Sequence, residues 1–423
     1  MTINQSEVRQ QLPKRKIEQG ESFLKFKQAC SVEAFPQAFA DYLSSKGDIY
    51  YSTTNGFHVI TRYKDAHTIL TSPNFSADRS AFFISQLANV NLTLMADFFA
   101  ITQTMMVMSD GKEHEMRRQS GSMGISDRWV NSFEPTTRKI VKSLLDDVAG
   151  EQEVEFVRRV AQVLPSTVLA ELFGVPEQER EFFRRCANTM TAFFGGAVEF
   201  TNDVAIETNQ AALSLREYFS EVIHKRRKKP QDDFLSGMIE AQKKFNLSEE
   251  EIISQAILML VAGKTTTTDQ ICNNFFLLLN NPDILQAIRA NPGLLANALE
   301  EFKRIDPAVT FLFRVAIADE VISSQQINAG EIVFISNHCV NRDMVAEAPT
   351  QIRINRKGIK HLAYGYGAHY CMGARLARLQ IQQLFTSMIN RFPNLRLSPD
   401  HPPERDYYSV SFSGFKTLPI ICL

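Results

Sequence analysis

A cysteine placed among glycines has the surroundings best suited to chemistry in this sequence. Cys371 lies in the segment Tyr364-Gly-Tyr-Gly-Ala-His-Tyr-Cys-Met-Gly373, directly before a stretch with a helical pattern. The three glycines let the backbone turn tightly and bring amide N–H groups near the sulfur. Those N–H groups and the positive end of the following helix favour a thiolate. A thiolate with no second cysteine nearby suits one axial bond to a metal, and the alternative is a buried structural cysteine.

This segment resembles the ligand loop of the cytochrome P450 family, the haem-thiolate monooxygenases. The segment has the family's order: an aromatic residue, Gly-x-Gly, three residues, cysteine, one residue and glycine. Tyr364 stands where Phe is usual. The resemblance implies that Cys371 is the axial ligand of haem b, donating electron density to the iron. It also implies that Gly365 and Gly373 shape the cofactor loop. The resemblance covers about residues 35–423 and is closest to the soluble bacterial type.

Four further residues resemble the family's contacts to the haem propionates. His114 and Arg118 match H-x-x-x-R, and their i, i+4 spacing places both on one face of a helix. Arg314 and His369 match two more contacts, the second just before the ligand cysteine. Carboxylates that are partly buried need charged or hydrogen-bonding partners, which gives these side chains a physical role. Any one of them alone could equally be a solvated charge or a core histidine.

A carboxylate and a guanidinium share one face of a predicted helix at Glu301 and Arg304, spaced i, i+3. Such a pair is usually a surface ion pair. In the family, however, this E-x-x-R pair is buried and, with a later arginine, fixes the region under the haem. The resemblance therefore implies structural roles for Glu301 and Arg304, with Arg356 as the later arginine.

The predicted central helix departs from the family pattern at its most reactive point. The family has Ala-Gly-x-acid-Thr-Thr, in which the glycine opens the helix beside the oxygen site and an acid–alcohol pair relays protons. Here Gly263 and the alcohol Thr266 match, but Thr265 replaces the acid. A hydroxyl can pass protons through water but cannot store one as a carboxylate does. Lys264 is expected to point outward into solvent.

Phenylalanine is concentrated in the segments that line the substrate site of the family. Phe buries a large apolar surface and requires no hydrogen-bond partner, so the pocket is expected to favour apolar or aromatic small molecules over sugars or phosphates. A role in the core is the alternative for each ring. The candidate pocket residues are Phe82, Phe83, Phe98, Phe99, Phe193, Phe194, Phe311, Phe313 and Phe412.

The elements that must position these residues are mostly helical. Asn55-Gly56 between two β-like runs predicts a hairpin over Ile49–Ser52 and Phe57–Thr61. Ser248 followed by three glutamates starts a central helix that runs to about Asn280, apolar over too wide an arc for a surface helix. Further β-like segments follow Pro307, at Val309–Phe313 and Glu331–Ile335, and a last helix runs from about Ala374 to Phe392. The expected fold is mainly α with a small β-rich portion, forming a single P450 domain with the haem between the central helix and the cysteine loop.

Composition excludes several classes of protein. The 423 residues include 46 Lys+Arg and 47 Asp+Glu, so the net charge of −1 weakens a general nucleic-acid-binding role. No apolar run is long enough to span a bilayer. Residues 1–20 are polar and are predicted to form a loose leader, without the apolar core of a signal peptide. The catalytic domain is expected over residues 21–423. The six cysteines are scattered without a C-x-x-C pair, which argues against disulfides and structural zinc. Cytoplasmic localisation is therefore expected. A monomer is expected as well.

The resemblance predicts a monooxygenase that uses O2 and electrons from a ferredoxin-type partner, acting in secondary metabolism. Thr265 leaves open a peroxide-using or non-oxygenating haem-thiolate enzyme. A haem-binding sensor or carrier without catalysis is the non-enzymatic alternative. An acidic iron–sulfur protein would suit the basic residues near the haem-binding elements, although dispersed surface charge explains them equally well. These residues are Lys112, Arg117, Lys357, Lys360 and Arg378.

Overall fold

A computed structural model describes residues 22–87, 90–194, 201–407 and 409–423. The predicted leader, 1–20, lies outside these residues. Within the described ranges, no helix is both long and apolar enough to cross a membrane.

Helices make up most of the described chain, in agreement with the predicted fold class. In chain order they are α1 (Phe23–Ala29), α2 (Phe35–Ser44), α3 (Tyr63–Thr71), α4 (Ser80–Gln86), α5 (Ala96–Gln103), α6 (Gly111–Gly124), α7 (Asp127–Ser132), α8 (Glu134–Asp146), α9 (Val163–Phe173), α10 (Arg180–Phe194), α11 (Asn202–Lys228), α12 (Phe234–Phe245), α13 (Glu249–Leu279), α14 (Pro282–Ala290), α15 (Leu295–Ile305), α16 (Asn337–Asp343) and α17 (Ala374–Arg391). Short 3-10 or π-helical turns occupy Leu92–Met95, Met106–Met108, Val157–Ala161, Glu177–Glu179, Pro292–Leu294 and Gly367–His369.

Short strands form small sheets at the edge of the helical body. The strands are β1 (Ile49–Ser52), β2 (Phe57–Ile60), β3 (Phe75–Ser76), β4 (Glu153–Glu155), β5 (Phe311–Ala316), β6 (Glu320–Ile322), β7 (Gln325–Ile327), β8 (Ile332–Ser336), β9 (Arg396–Leu397), β10 (Glu404–Asp406), β11 (Gly414–Thr417) and β12 (Pro419–Ile421). The largest sheet has the order β1-β2-β8-β5-β3. The predicted hairpin is its β1–β2 pair, which is antiparallel with Ile49 opposite Ile60.

The central helix α13 has the start and the burial that its sequence predicted. Ser248 accepts a hydrogen bond from the backbone N–H of Glu251, whose side chain in turn accepts from the Ser248 N–H, forming a capping box. Side chains around most of the circumference of α13 are buried, so it runs through the core. This helix provides the long wall against which the site is built.

Seven buried phenylalanines belong to a hydrophobic cluster beside the largest sheet, separate from the main helical core. Phe23 from α1 stacks on Phe311 of β5 with ring centroids 6.0 Å apart, and Phe311 stacks on Phe334 of β8 at 5.4 Å. Phe39 of α2 packs edge-on against Phe23 at 6.1 Å. These rings fix the N-terminal helices to the sheet that carries one wall of the site.

Candidate haem-thiolate active site

A cavity of about 640 Å³ opens between α13, α6, β5 and the loop that precedes α17. That volume is within the usual range for small-molecule sites. Among the described residues that line it, none is an aspartate or a glutamate. The wall of the cavity is mainly apolar, so its few polar side chains indicate which chemistry the site can perform. Apolar lining residues include Met106, Val107, Leu258, Met259 and Val261.

The Cys371 segment turns back on itself at its glycines. Gly365 and Gly367 have φ values of +74° and +67°, in the left-handed region that favours glycine. The backbone N–H of Cys371 donates to the carbonyl of Tyr364 over 2.8 Å and closes the loop. The Cys371 side chain lines the cavity and is exposed to it. Its sulfur is therefore accessible to a ligand held in the cavity.

Opposing effects act on the Cys371 thiol. Although the sulfur faces the cavity, it lies deep within the protein, and this burial raises the pKa of the thiol. Hydrogen bonds from the backbone N–H groups of Gly373 and Ala374, and the charge of Arg118, act to lower it. The N–H groups expected from the glycine spacing are present, but burial has the larger effect. A bound metal cation would supply the charge that holds this sulfur as a thiolate.

Two histidines and two arginines, which come from α6, β5 and the turn Gly367–His369, meet at the cavity. The rings of His114, on α6, and His369 lie with centroids 3.9 Å apart. Burial, reinforced by His369 and Arg118, lowers the pKa of His114 to about 4. Burial also lowers the pKa of Arg314, on β5, to about 10, so its guanidinium stays charged at neutral pH. Fixed positive charges are thus held in a poorly solvated place.

This group of side chains fits a ligand with two carboxylates. The Nε2 atom of His114 is buried without a hydrogen-bond partner. The Arg118 side chain makes no hydrogen bond or ion pair within the part of the chain that the structure describes. Arg314 donates a hydrogen bond from Nη1 to the carbonyl of Phe313 over 2.7 Å. A haem would bring both a metal for Cys371 and carboxylates for these donors, so the residues present fit that group.

A buried ion-pair network stands behind the cysteine loop. Arg304 donates from Nε and Nη2 to the two carboxylate oxygens of Glu301, each over 2.8 Å, and neither side chain is exposed. Arg356 donates from Nε to Glu301 over 3.3 Å. A further bond of 2.6 Å joins Arg304 Nη1 to the carbonyl of Pro349. Glu301 therefore joins α15 to the segment that leads into the cysteine loop.

Two of the basic residues expected on a partner-binding face are already paired. Arg117 is largely buried and donates to Glu251 over 3.0 Å. Arg378 donates to both carboxylate oxygens of Glu300, at 3.0 and 2.9 Å, and its guanidinium lies 4.4 Å from the ring centre of Tyr364. The predicted basic cluster is thus smaller than its sequence suggests. The other members, Lys112, Lys357 and Lys360, are exposed.

The threonines of α13 do not all face the cavity. Gly263 and Thr266 line it, and the Thr266 hydroxyl donates to the carbonyl of Ala262 over 2.7 Å. Thr265 is not among the lining residues. At Gly263 the direction that a side chain would take meets Leu169 of α9 at 3.2 Å, so this glycine also permits close packing of two helices. Thr266 is therefore the hydroxyl of the predicted pair that faces the site.

Lys264 is not solvated, contrary to the expectation from sequence. Its side chain is buried, and its Nζ donates to the Oδ1 of Asn188 on α10. Burial lowers the pKa of Lys264 to about 8. Lys264 therefore does not stand as a free cation beside the threonines. Its side chain links α13 to the neighbouring helix α10.

Most of the predicted aromatic residues do reach the cavity. Phe82, Phe83, Phe194, Phe311, Phe313 and Phe412 line it. Phe98 does not, because it is fully buried on α5 against Phe99, with ring centroids 5.6 Å apart. The predicted Phe193 falls in α10, but its side chain lies outside the described residues.

Comparison with known proteins decides the family. The sequence profile described as Cytochrome P450 matches residues 35–413. The chain belongs to the cytochrome P450 family.

This P450 has relatives in bacteria. It is 34% identical over 376 residues to cytochrome P450 107B1 of Saccharopolyspora erythraea, covering 87% of this chain and 90% of that one. It is 30% identical to the polyketide biosynthesis cytochrome P450 PksS of Bacillus subtilis, with coverages of 86% and 88%. A crystal structure of P450BioI in complex with hexadec-9Z-enoic acid ligated acyl carrier protein superposes with a TM-score of 0.83 at 28% identity, covering 94% of this chain and all of that one.

The single-domain P450 fold and an enzyme of the monooxygenase class are thereby confirmed. Sequence reasoning missed two cationic residues of this P450. Arg79, just beyond β3, lines the cavity. Lys27 on α1 is fully buried and bonds the turn that carries Phe412. Neither stands in a motif, and a lone Arg or Lys in a polar segment gives no signal in one sequence.

Proposed function

We propose that this P450 oxidises an apolar or aromatic small molecule, by hydroxylation or a related oxidation, in secondary-metabolite biosynthesis. The observation that carries the proposal is that Cys371 and Thr266 line one cavity whose remaining wall is mainly apolar. Haem b, once bound, would supply the reductive activation of O2. The protein's contribution is to hold that group, exclude water and orient the substrate.

Each polar residue of the site has one role in this proposal. Cys371 ligates the iron, while Gly365 and Gly373 shape the loop and direct N–H groups at its sulfur. The side chains of His114, Arg118, Arg314 and His369 hold the haem carboxylates. Glu301, Arg304 and Arg356 keep the cysteine loop in place. Thr266, through its Oγ1, passes a proton that arrives by water, because the cavity has no carboxylate among its described lining residues.

The substrate class is inferred from the lining and from the relatives. Phe82, Phe194 and Phe412 line the cavity and are only partly buried, so they present apolar surface that makes no hydrogen-bond demand. PksS carries polyketide biosynthesis in its name, and P450BioI was crystallised with a fatty acid on acyl carrier protein. These names support an apolar substrate drawn from secondary metabolism.

Electrons are proposed to come from a ferredoxin-type partner. Lys112, Lys357 and Lys360 remain exposed, and they form no ion pair with a described residue. An acidic iron–sulfur protein would complement them. We further infer a cytoplasmic monomer with one catalytic domain over 21–423, preceded by the leader.

A second candidate is favoured by one specific observation. Thr265 stands where the family has an acid, and the described cavity wall has no other carboxylate to replace it. A peroxide-using or non-oxygenating enzyme would not need that acid. No contact among the described residues of the site favours a non-catalytic haem sensor or carrier.

Spectroscopy of the purified holoprotein tests the proposal first. The reduced, carbon-monoxide-bound wild type should show the red-shifted Soret band of thiolate ligation, and Cys371→Ala should lose it. An unchanged band in the variant would refute the assignment of Cys371. Turnover of an apolar panel with O2 and a reduced ferredoxin, compared with peroxide alone, then separates the two enzymatic candidates. A carrier would turn over under neither condition.

A further inference from the structure

One cation in the cavity lies beyond the set that the haem requires. Arg79 directly precedes α4, and its side chain lines the cavity beside Phe82 and Phe313. Its guanidinium carbon lies 5.6 Å from the centre of the Phe313 ring. Phe313 belongs to the apolar wall of the cavity, and the next residue on β5, Arg314, belongs to the carboxylate-binding group. Arg79 therefore lies where these two parts of the cavity meet.

The guanidinium of Arg79 has no acceptor in the described protein. Its Nε is buried without a hydrogen-bond partner, and none of the described residues forms a hydrogen bond or ion pair with the side chain. Burial and the nearby charge of Arg314 lower its pKa to about 10, which still leaves it protonated at neutral pH. The Arg79 side chain is half-buried, and a poorly solvated cation without a hydrogen-bond acceptor is costly, so an anion from outside the chain is expected beside it.

Charge balance argues that this anion is not part of the haem. The two haem carboxylates are matched by the two charged guanidinium groups of Arg118 and Arg314, with His114 and His369 as further hydrogen-bonding groups. The acidic side chain whose charge acts on Arg79 is its neighbour Asp78, which forms no ion pair with it and accepts from the backbone N–H of Ser80 over 2.8 Å. The acid whose charge acts on Arg314 is Asp110, which is engaged elsewhere. It accepts from the hydroxyl of Ser76 and from the N–H of Ala77 at 3.0 Å. Its other neighbour is His369, at 3.7 Å.

We propose that Arg79 binds a carboxylate at one end of an otherwise apolar substrate. The inference rests on the proposed function and deepens it by naming the polar group of the substrate. Phe82 and Phe313 would bury the adjoining hydrocarbon, while the guanidinium donates to the carboxylate, a geometry that arginine suits. Loss of a charge-assisted hydrogen bond in such a place is expected to weaken binding about tenfold to a hundredfold.

Spectral titration of the holoenzyme tests this assignment. The probes are dodecanoate, hexadecanoate and phenylpropionate, each compared with its methyl ester, and the readout is the Soret shift on binding. The wild type should bind at least one acid about tenfold or more tightly than its ester. Arg79→Gln should remove that preference by weakening the binding of the acid far more than that of the ester, and Arg79→Lys should restore part of it. Arg128→Gln, at an exposed arginine of α7, is the matched control and should keep the preference.

Three results would overturn the proposal. In the first, no acid binds better than its ester in the wild type. In the second, the preference survives Arg79→Gln. In the third, Arg79→Gln speeds haem transfer to apomyoglobin without changing the preference, which would assign Arg79 to the haem carboxylates. Failure of the proposed function is distinguishable, because it would remove the thiolate-type band from the wild type, whereas these results leave that band intact.

Discussion

Lys27, on the first helix, donates a hydrogen bond of 2.7 Å to the carbonyl of Phe412, 385 residues further along the chain. A second bond of 2.8 Å reaches the carbonyl of Ser409, and the lysine side chain is completely buried. Phe412 lines the cavity. An N-terminal helix therefore fixes the shape of a C-terminal turn that the substrate would contact.

Lys27→Met is expected to loosen this turn. Methionine fills a similar volume but cannot donate, so buried carbonyls lose their partner and the free energy of unfolding should fall by about 2 kcal/mol. Dissociation constants for bulky apolar ligands should rise, while carbon monoxide binding to the reduced protein stays unchanged. Denaturant titration and ligand titration measure the two effects. Lys25→Met, at an exposed position of the same helix, should change stability by less than about 0.5 kcal/mol. Equal behaviour of the two variants would contradict the role of Lys27.

The charge of Lys27 should make stability depend on pH. Burial, and then the nearby charge of Arg405, lowers its pKa from 10.5 to about 7 in the folded state. Between these values the unfolded chain binds a proton that the folded chain does not, so the free energy of unfolding rises with pH across this window. Below pH 7 both states are protonated and the contribution is constant. The difference in unfolding free energy between wild type and Lys27→Met should therefore vary from about pH 7 to 10.5, and a constant difference would contradict this.

How far the sequence predicts this molecule depends on how local each signal is. The start of α13 is local, because Ser248 and Glu251 satisfy each other, and that helix begins where predicted. The hairpin signal at Gly56 is local as well. Strand β5 instead begins at Phe311 rather than at the predicted Val309, because its extent is set by pairing with β8.

The site shows the same limit. The resemblance to the P450 family implied that Cys371 and His114 belong to one haem site, and both line one cavity. Spacing could not predict that Lys264 would bond Asn188 on another helix, since that contact depends on packing. Likewise, Phe98 and Phe412 look alike in sequence, and only tertiary packing encloses the first in the core and leaves the second partly exposed on the cavity wall.

Glu301→Gln should be among the most damaging conservative changes in the chain. It leaves Arg304 buried without a countercharge, and breaking a buried pair in this way costs about 3–5 kcal/mol. Denaturant titration should show that loss, and a smaller fraction of the protein should retain haem. Glu347→Gln is a suitable control because Glu347 is 80% exposed in its pair with Arg353, where about 1 kcal/mol or less is expected. A loss at Glu301 no larger than at Glu347 would refute the structural role.

The bond between Lys264 and Asn188 should behave as a coupled pair. A double-mutant cycle with Lys264→Met and Asn188→Ala is expected to give a coupling energy of about 1–2 kcal/mol in unfolding. Because α10 also carries Phe194 on the cavity wall, each single variant should release a bound apolar ligand faster. Stopped-flow measurement of ligand dissociation tests this second effect. Strictly additive stability changes would show that the contact contributes nothing.

Thr266→Ala separates the two hydroxyl groups that replace the usual relay. Thr266 lines the cavity and Thr265 does not, so removal of the first should lower the yield of product per electron consumed far more than Thr265→Ala does. General acid–base groups commonly contribute about 10²–10⁴ in rate, and water can substitute in part, so a loss of about tenfold or more is expected for Thr266→Ala. Thr266→Ser keeps the hydroxyl and should recover most of the yield. If serine and alanine at this position give the same yield, the proton passes by a route that does not use Thr266.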